Sequence, residues 1–168
     1  MNIHFKMMER MRLQVIADLE RPHNFATERL GFLRCKVAWA KDELLILASH
    51  YEIIPDDQYV DDSSAGCYFG ERAMRAMLQY SLTNHESIFH IHLHYHSGLP
   101  QFSQTDLRES AQYVPDFWHV TPDLPHGTIV LSRNRAFGRC WYPESEEAID
   151  INRITSVGPL VRKLGGKP

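Results

Sequence analysis

Long apolar runs are missing from this 168-residue chain, so no stretch can span a bilayer as a helix. The N-terminal MNIHFKMMERMR lacks the apolar centre of a secretory signal, and the expectation is a cytoplasmic protein with no membrane partner. Cysteine is scarce. Cys35, Cys67 and Cys140 are widely spaced and form no CxxC pair, which argues against a disulfide framework and against a thiolate metal site. They read as small apolar residues. Excess charge is lacking too: a net charge of -3 and a pI near 6.3 argue against a nucleic-acid partner bound through charge. Repeats, low-complexity tracts and linkers are all absent. With 43% hydrophobic residues, the chain has the material for one sizeable core, and a single domain over residues 1–168 is expected.

What is present is a succession of periodic segments. Asn2 to Lys6 predicts a short strand, and Met8, Met11, Val15 and Leu19 at helical spacing predict a helix that stops before Pro22. Methionines at that spacing are core packing. In Gly31 to Trp39, the residues Leu33, Cys35, Val37 and Trp39 alternate with Arg34, Lys36 and Ala38, the pattern of a half-buried strand. Leu44 to Ile54 is more continuously apolar and is expected near the middle of a sheet, paired as a hairpin through Lys41 and Asp42. The polar PDDQYVDDSSAG stretch reads as an exposed loop, and its aspartates do not have EF-hand spacing. Ala73, Met74, Met77, Leu78 and Leu82 predict a second helix, from Glu71 to about Asn84. Three further strands are expected at Thr128 to Ser132, Phe137 to Tyr142 and Ala148 to Val157, joined by an SRNRA turn and a PESEE loop. The order of elements suggests a mixed α/β sandwich around one sheet.

The most informative stretch is Phe89 to Asp106, FHIHLHYHSGLPQFSQTD. In an extended strand His90, His92, His94 and His96 share one face, while Phe89, Ile91, Leu93 and Tyr95 share the other. One face is a core and the other a set of metal ligands. Neutral imidazole and carboxylate are common zinc ligands, and a catalytic zinc keeps an open fourth position beside three protein ligands. Ser103-Gln-Thr-Asp106 opens a short helix that ends by Pro115, with the serine as N-cap and the acid close to a capping box. A cap residue and a metal ligand can occupy the same rigid helix start.

Glu28-Arg-Leu-Gly31-Phe-Leu upstream, followed by His-x-His and Ser-x-x-Asp, resembles the JAMM motif of the JAB/MPN-type metallopeptidases. The family order of glutamate, strands, helix, histidine strand and Ser-x-x-Asp helix runs here from Glu28 to Asp106, and the strands after Pro115 would complete the domain. The resemblance implies a single MPN-like α/β domain with a mixed central β-sheet flanked by helices. It implies Zn2+ held by two histidines and Asp106. Glu28 would be the proton-transferring base, and Ser103 would donate a hydrogen bond to the oxyanion. The family leaves seven residues between the second histidine and the serine, whereas His94 leaves eight and His96 leaves six. Both pairs therefore stay open. His92 with His94 is favoured, because an extra loop residue is easily accommodated and that pair sits closer to the sheet. His90 and His96 would then lie outside the ligand set.

The family's activity implies cleavage after the C-terminal glycine of a ubiquitin-like protein, as deconjugation or maturation. A compact chain like this one resembles bacterial forms, some of which accompany E1- and E2-like enzymes in antiphage conjugation systems while others trim sulfur-carrier proteins. Two other readings are a metal-free MPN scaffold that docks a protein, and a zinc amidohydrolase acting on a small amide or sulfur-carrier adduct. The chain's own Leu164-Gly165-Gly166 is read as a frayed end.

Overall fold

The computed structural model describes residues 1–23, 27–61, 66–143, 145 and 147–166. Residues 62–65 of the polar loop, Glu144 and Glu146 of the PESEE loop, and the last two residues of the expected frayed end lie outside them. Strand alternation buries Ile3, Phe5 and Met7 in β1 (Asn2–Met8) and turns Met8 outward. The helix α1 (Glu9–Leu19) begins only after Met8, so Met8 does not join its apolar stripe. Val15 and Leu19, four residues apart on one helix face, are fully buried, and each contributes roughly 1.5–3 kcal/mol.

Next come β2 (Leu30–Ala40) and β3 (Glu43–Ile53), an antiparallel hairpin turning at Lys41 and Asp42 as expected. Where the sequence suggested only a loop, β4 (Tyr59–Val60) and β5 (Tyr68–Phe69) form a small antiparallel ribbon. The helix α2 (Glu71–Asn84) buries Ala73 and Met77. Leu82 is exposed, and Ser81 takes the inward position because its hydroxyl donates to Glu86 O and pairs with Thr121 Oγ1. The histidine strand is β6 (Ser87–Leu93). Then follow α3 (Gln104–Tyr113), a 3-10 turn over Val114–His119 that accommodates Pro115, and the strands β7 (His126–Leu131) and β8 (Ala136–Trp141). The chain ends with β9 (Ile149–Asp150), β10 (Arg153–Val157) and β11 (Val161–Gly166).

One mixed sheet of nine strands runs β11-β10-β1-β3-β2-β6-β7-β8-β9. Its pairs β1–β10, β1–β3 and β6–β7 are parallel, and the other pairs are antiparallel. Rather than lying open between helical layers, the sheet curls until it is nearly a closed barrel. The expected Ala148 to Val157 strand is therefore two: β9 pairs with β8, and β10 crosses to β1, with Ile151 N–H donating to Gly138 O and Asn152 Oδ1 accepting from Ile3 N–H across the seam. The C-terminal Leu-Gly-Gly is not frayed. Leu164 is buried, Gly165 and Gly166 pair with β10, and a Cβ on Gly165 would stand 1.9 Å from the Ala136 carbonyl oxygen of β8. Only glycine permits that approach, which is why closure falls there.

Two cores result. Ile3, Phe5, Phe89, Ile91 and Ile129 pack with α1, whereas Phe32, Ile88 and Phe117 pack with α2. Among the described residues no helix is long and apolar enough to cross a membrane.

Candidate metal centre

β6 is buried along its whole length between β2 and β7. Its pleat sends Phe89, Ile91 and Leu93 to the α1 side, and so Ile88, His90 and His92 to the α2 side. The expected row of four histidines is shorter than the sequence suggested, because the strand stops at Leu93. His94 keeps one ladder bond, its N–H donating to Leu131 O at 2.9 Å. His96 N–H then bonds His94 O at 2.8 Å, which pulls the backbone into a turn. His96 ends up exposed, its Nδ1 3.0 Å from Ser97 O.

Glu28 is brought to this face by register. Leu30, two residues after it, is the cross-strand partner of His92. The carbonyl of Gly66 accepts from the N–H groups of Thr27 and Glu28 at 2.9 and 3.2 Å, and the Tyr59 hydroxyl bonds both N–H and C=O of Leu30. Arg29, next along, is buried and is tied to Asp56 at 2.7 Å and to the carbonyls of Arg21 and Pro22. One ligand atom each from Glu28, His92 and His94 lies within 4.8 Å of the others.

Asp106 comes from the opposite element. Ser103 caps α3, its Oγ accepting from Asp106 N–H at 3.1 Å, and its own N–H donates to Asp106 Oδ2 at 2.7 Å. This is the expected capping box, and it aims the same Oδ2 at His92 Nε2, 3.5 Å away, and at His94 Nε2, 3.9 Å away. Glu28, His92, His94, Ser103 and Asp106 all line one cavity of about 390 Å³. His96 is outside both that lining and the convergent group; the expected ligand Asp106 is outside the tight group as well, where Glu28 stands instead, but it lines the cavity and approaches both imidazoles.

The donor set suits a divalent cation. A tetrahedral ion with ligand distances of 2.0–2.1 Å has edges of roughly 3.3 Å, close to the 3.5 Å His92–Asp106 separation and shorter than the 3.9 Å His94–Asp106 one. Both ring nitrogens of His92 are buried and make no hydrogen bond in good geometry among the described residues, Nε2 having only its 3.5 Å approach to Asp106, a cost that coordination would remove. Two carboxylates face this cluster of imidazoles, a donor set whose negative charge a doubly positive ion would balance. Burial raises the Glu28 carboxyl above its usual range, with the neighbouring Asp106 adding to the rise and His92 opposing it. Burial also acts upward on Asp106, but His92 and the Ser103 hydrogen bonds prevail and hold that carboxyl well below the usual range. His94 is lowered by burial and by His92, and burial pushes His90 down to about 3, so both imidazoles are neutral at ordinary pH.

No protein-family model matches the chain, and no curated protein matches it. The chemistry therefore rests on the cavity itself. Residues that no periodicity pointed to also shape it. Gly66 pins Glu28, and Phe69 and Tyr113 wall the side beside His90; outside the cavity lining, Phe102 sets its ring 6.0 Å from His92 and 5.5 Å from Phe137.

Proposed function

We propose that the chain is a divalent-metal hydrolase of amide bonds, of the JAMM type and with an MPN-like domain, acting in the cytoplasm on the bond after the C-terminal glycine of a ubiquitin-like protein. What supports this reading above all is the convergence of Glu28, His92 and His94 with Asp106, residues far apart in the chain, on one half-buried cavity. His92, His94 and Asp106 would hold the ion, with zinc the first choice for two imidazoles and a carboxylate. When bound, such an ion supplies Lewis acidity, which polarises a carbonyl and makes water acidic enough to attack near neutral pH.

The chain's own groups then manage protons and charge. Glu28, withdrawn from bulk water, accepts a proton from the attacking water and returns it to the leaving amine as the C–N bond breaks. Ser103 spends a lone pair on the cap and keeps its O–H free to donate to the oxyanion, a contribution of roughly 3 kcal/mol where such donors have been removed. The His94 imidazole stays neutral and so remains a donor of electrons.

A second reading, an amidohydrolase for a small amide or sulfur-carrier adduct, draws on the cavity's size. A volume of about 390 Å³ falls in the range of small-molecule sites. Incubating the metal-loaded protein with a ubiquitin-like protein fused through its terminal glycine tests the first reading. Cleavage after that glycine, lost in Glu28→Ala, is the expected result; an intact fusion with a metal-loaded protein overturns it.

A further inference from the structure

The cavity has a buried end beside His92 whose polar atoms lack partners. The His90 ring lies 5.7 Å from that of His92 and only 7% of the residue is exposed. His90 Nε2 is buried with no hydrogen-bond partner among the described residues, and the buried Tyr113 hydroxyl has none in bonding geometry, only the Thr128 side chain close by. Thr128 Oγ1 stands 3.5 Å from His90 Nδ1, a long contact. Around these atoms are aromatic faces. Tyr113 is 5.3 Å from His90 between ring centroids, Phe69 is 5.7 Å from Tyr113, and Phe32 is 5.7 Å from His90. Five different elements, β2, β5, β6, β7 and α3, meet to build this chamber, and His90, Tyr113, Phe69 and Thr128 all line the cavity. Buried polar atoms are rarely left unsatisfied, and a bound group that offers His90 Nε2 a donor and the Tyr113 hydroxyl an acceptor would satisfy both.

We infer that this chamber is a subsite for an uncharged carboxamide group on the molecule that is cut, an assignment that rests on the hydrolase reading above. A primary amide matches the two orphaned atoms. Its carbonyl accepts from the Tyr113 O–H, and its NH2 donates to His90 Nε2 when the ring proton sits on Nδ1 towards Thr128. Its flat shape suits a slot walled by rings. Charged groups fit less well. A carboxylate would share the cavity with Glu28, Asp106 and Glu109, and an ammonium would shed its water for one hydroxyl and one imidazole nitrogen. The asparagine or glutamine side chain is the natural carrier of such a group in a polypeptide, and a primary amide in a small molecule.

Three probes of similar size test this: acetamide, acetate and methylammonium, titrated into zinc-loaded and chelator-treated protein. Backbone amide chemical shifts at Phe69, Tyr113 and Thr128 are the readout. Acetamide is expected to produce saturable shifts at all three residues and to bind at least about tenfold more tightly than either ion. Tyr113→Phe keeps the ring, removes only the hydroxyl and should weaken acetamide about fivefold to tenfold, the worth of one neutral hydrogen bond. Equal or tighter binding of acetate or methylammonium, shifts confined to the His94 and Ser103 side, or acetamide binding unchanged in Tyr113→Phe would each overturn the assignment. Metal content measured on the same samples keeps the two ideas apart. A protein that takes up no metal yet binds acetamide at Tyr113 removes the hydrolase reading alone, and a metal-loaded protein indifferent to acetamide removes the chamber alone.

Discussion

Asp106 Oδ2 stands 3.5 Å from His92 Nε2 while accepting a 2.7 Å hydrogen bond from the Ser103 N–H. The two residues come from a strand in the middle of the sheet and from the first turn of a helix, and neither can shift alone. His92 is held by β2 on one side and β7 on the other, and Asp106 is locked into the cap of α3. Rigid placement of this kind is what a metal ligand pair needs, because ordering the side chains has already been achieved by folding.

Metal content follows directly from that pair. The purified protein is expected to carry about one divalent ion per chain, read by native or elemental mass spectrometry. His92→Ala or Asp106→Asn should weaken binding by more than the roughly 10–100-fold typical of losing an outer partner of a ligand. His96→Ala should leave the ion in place, since His96 is exposed and outside the convergent group. Glu28→Gln should retain the ion and lose hydrolysis. An ion lost in Glu28→Gln would make Glu28 a ligand and not the base.

Ser103 has two separable jobs. As the N-cap of α3 it satisfies the Asp106 N–H, so Ser103→Ala should cost about 1 kcal/mol in chemical denaturation. As an oxyanion donor its loss should slow turnover by roughly 10²–10³-fold. Ser103→Asn replaces the cap but not the hydroxyl. Recovery of stability without recovery of rate is the expected outcome, and a rate that returns with stability assigns Ser103 to capping alone.

Much of the site was legible because it rests on local rules. Alternation along β6 places His90 and His92 opposite Phe89 and Ile91, and a Ser-x-x-Asp pattern makes a cap whatever surrounds it. The strand's early end was not legible. The hydrogen bonds that stop it, from His94 N–H to Leu131 O and from His96 N–H to His94 O, depend on where β7 finishes. The anchoring of Glu28 by Gly66 and Tyr59 was hidden for the same reason, since it joins segments that look like loop and polar turn when read alone. Closure of the sheet by β11 was the largest omission: Val161, Arg162 and Lys163 are exposed, so the strand has little apolar signature and is held by its ladder to β10.

Gly165 tests that closure. Adding a methyl group there drives a Cβ into the Ala136 carbonyl, a backbone atom of β8 that cannot rotate aside. Gly165→Ala should therefore lower stability by at least about 1–3 kcal/mol, seen as a lower urea midpoint. Leu160→Ala, in the exposed approach to the same strand, should stay within about 0.5 kcal/mol of wild type. Equal stability for both variants would mean that the β11 to β8 contact does not hold the fold.

His126 should make stability depend on pH well away from the metal centre. Its Nδ1 accepts from Ile88 N–H at 3.0 Å, its Nε2 lies 3.2 Å from Thr121 Oγ1, and burial pushes the ring down to about 4. The unfolded chain, with a histidine near 6.5, binds the proton more readily than the folded one. The contribution of the neutral ring is thus complete above pH 6.5 and is lost as pH falls through the interval down to about 4. Over that interval the loss is on the order of 3 kcal/mol. His126→Asn keeps an acceptor for Ile88 N–H but does not titrate. It should be less stable than wild type at pH 7, and the gap should narrow progressively towards pH 4 in urea unfolding. Subtracting one protein from the other removes what the other titrating groups contribute to both. A gap that stays constant over the interval would mean that His126 does not resist protonation in the folded protein.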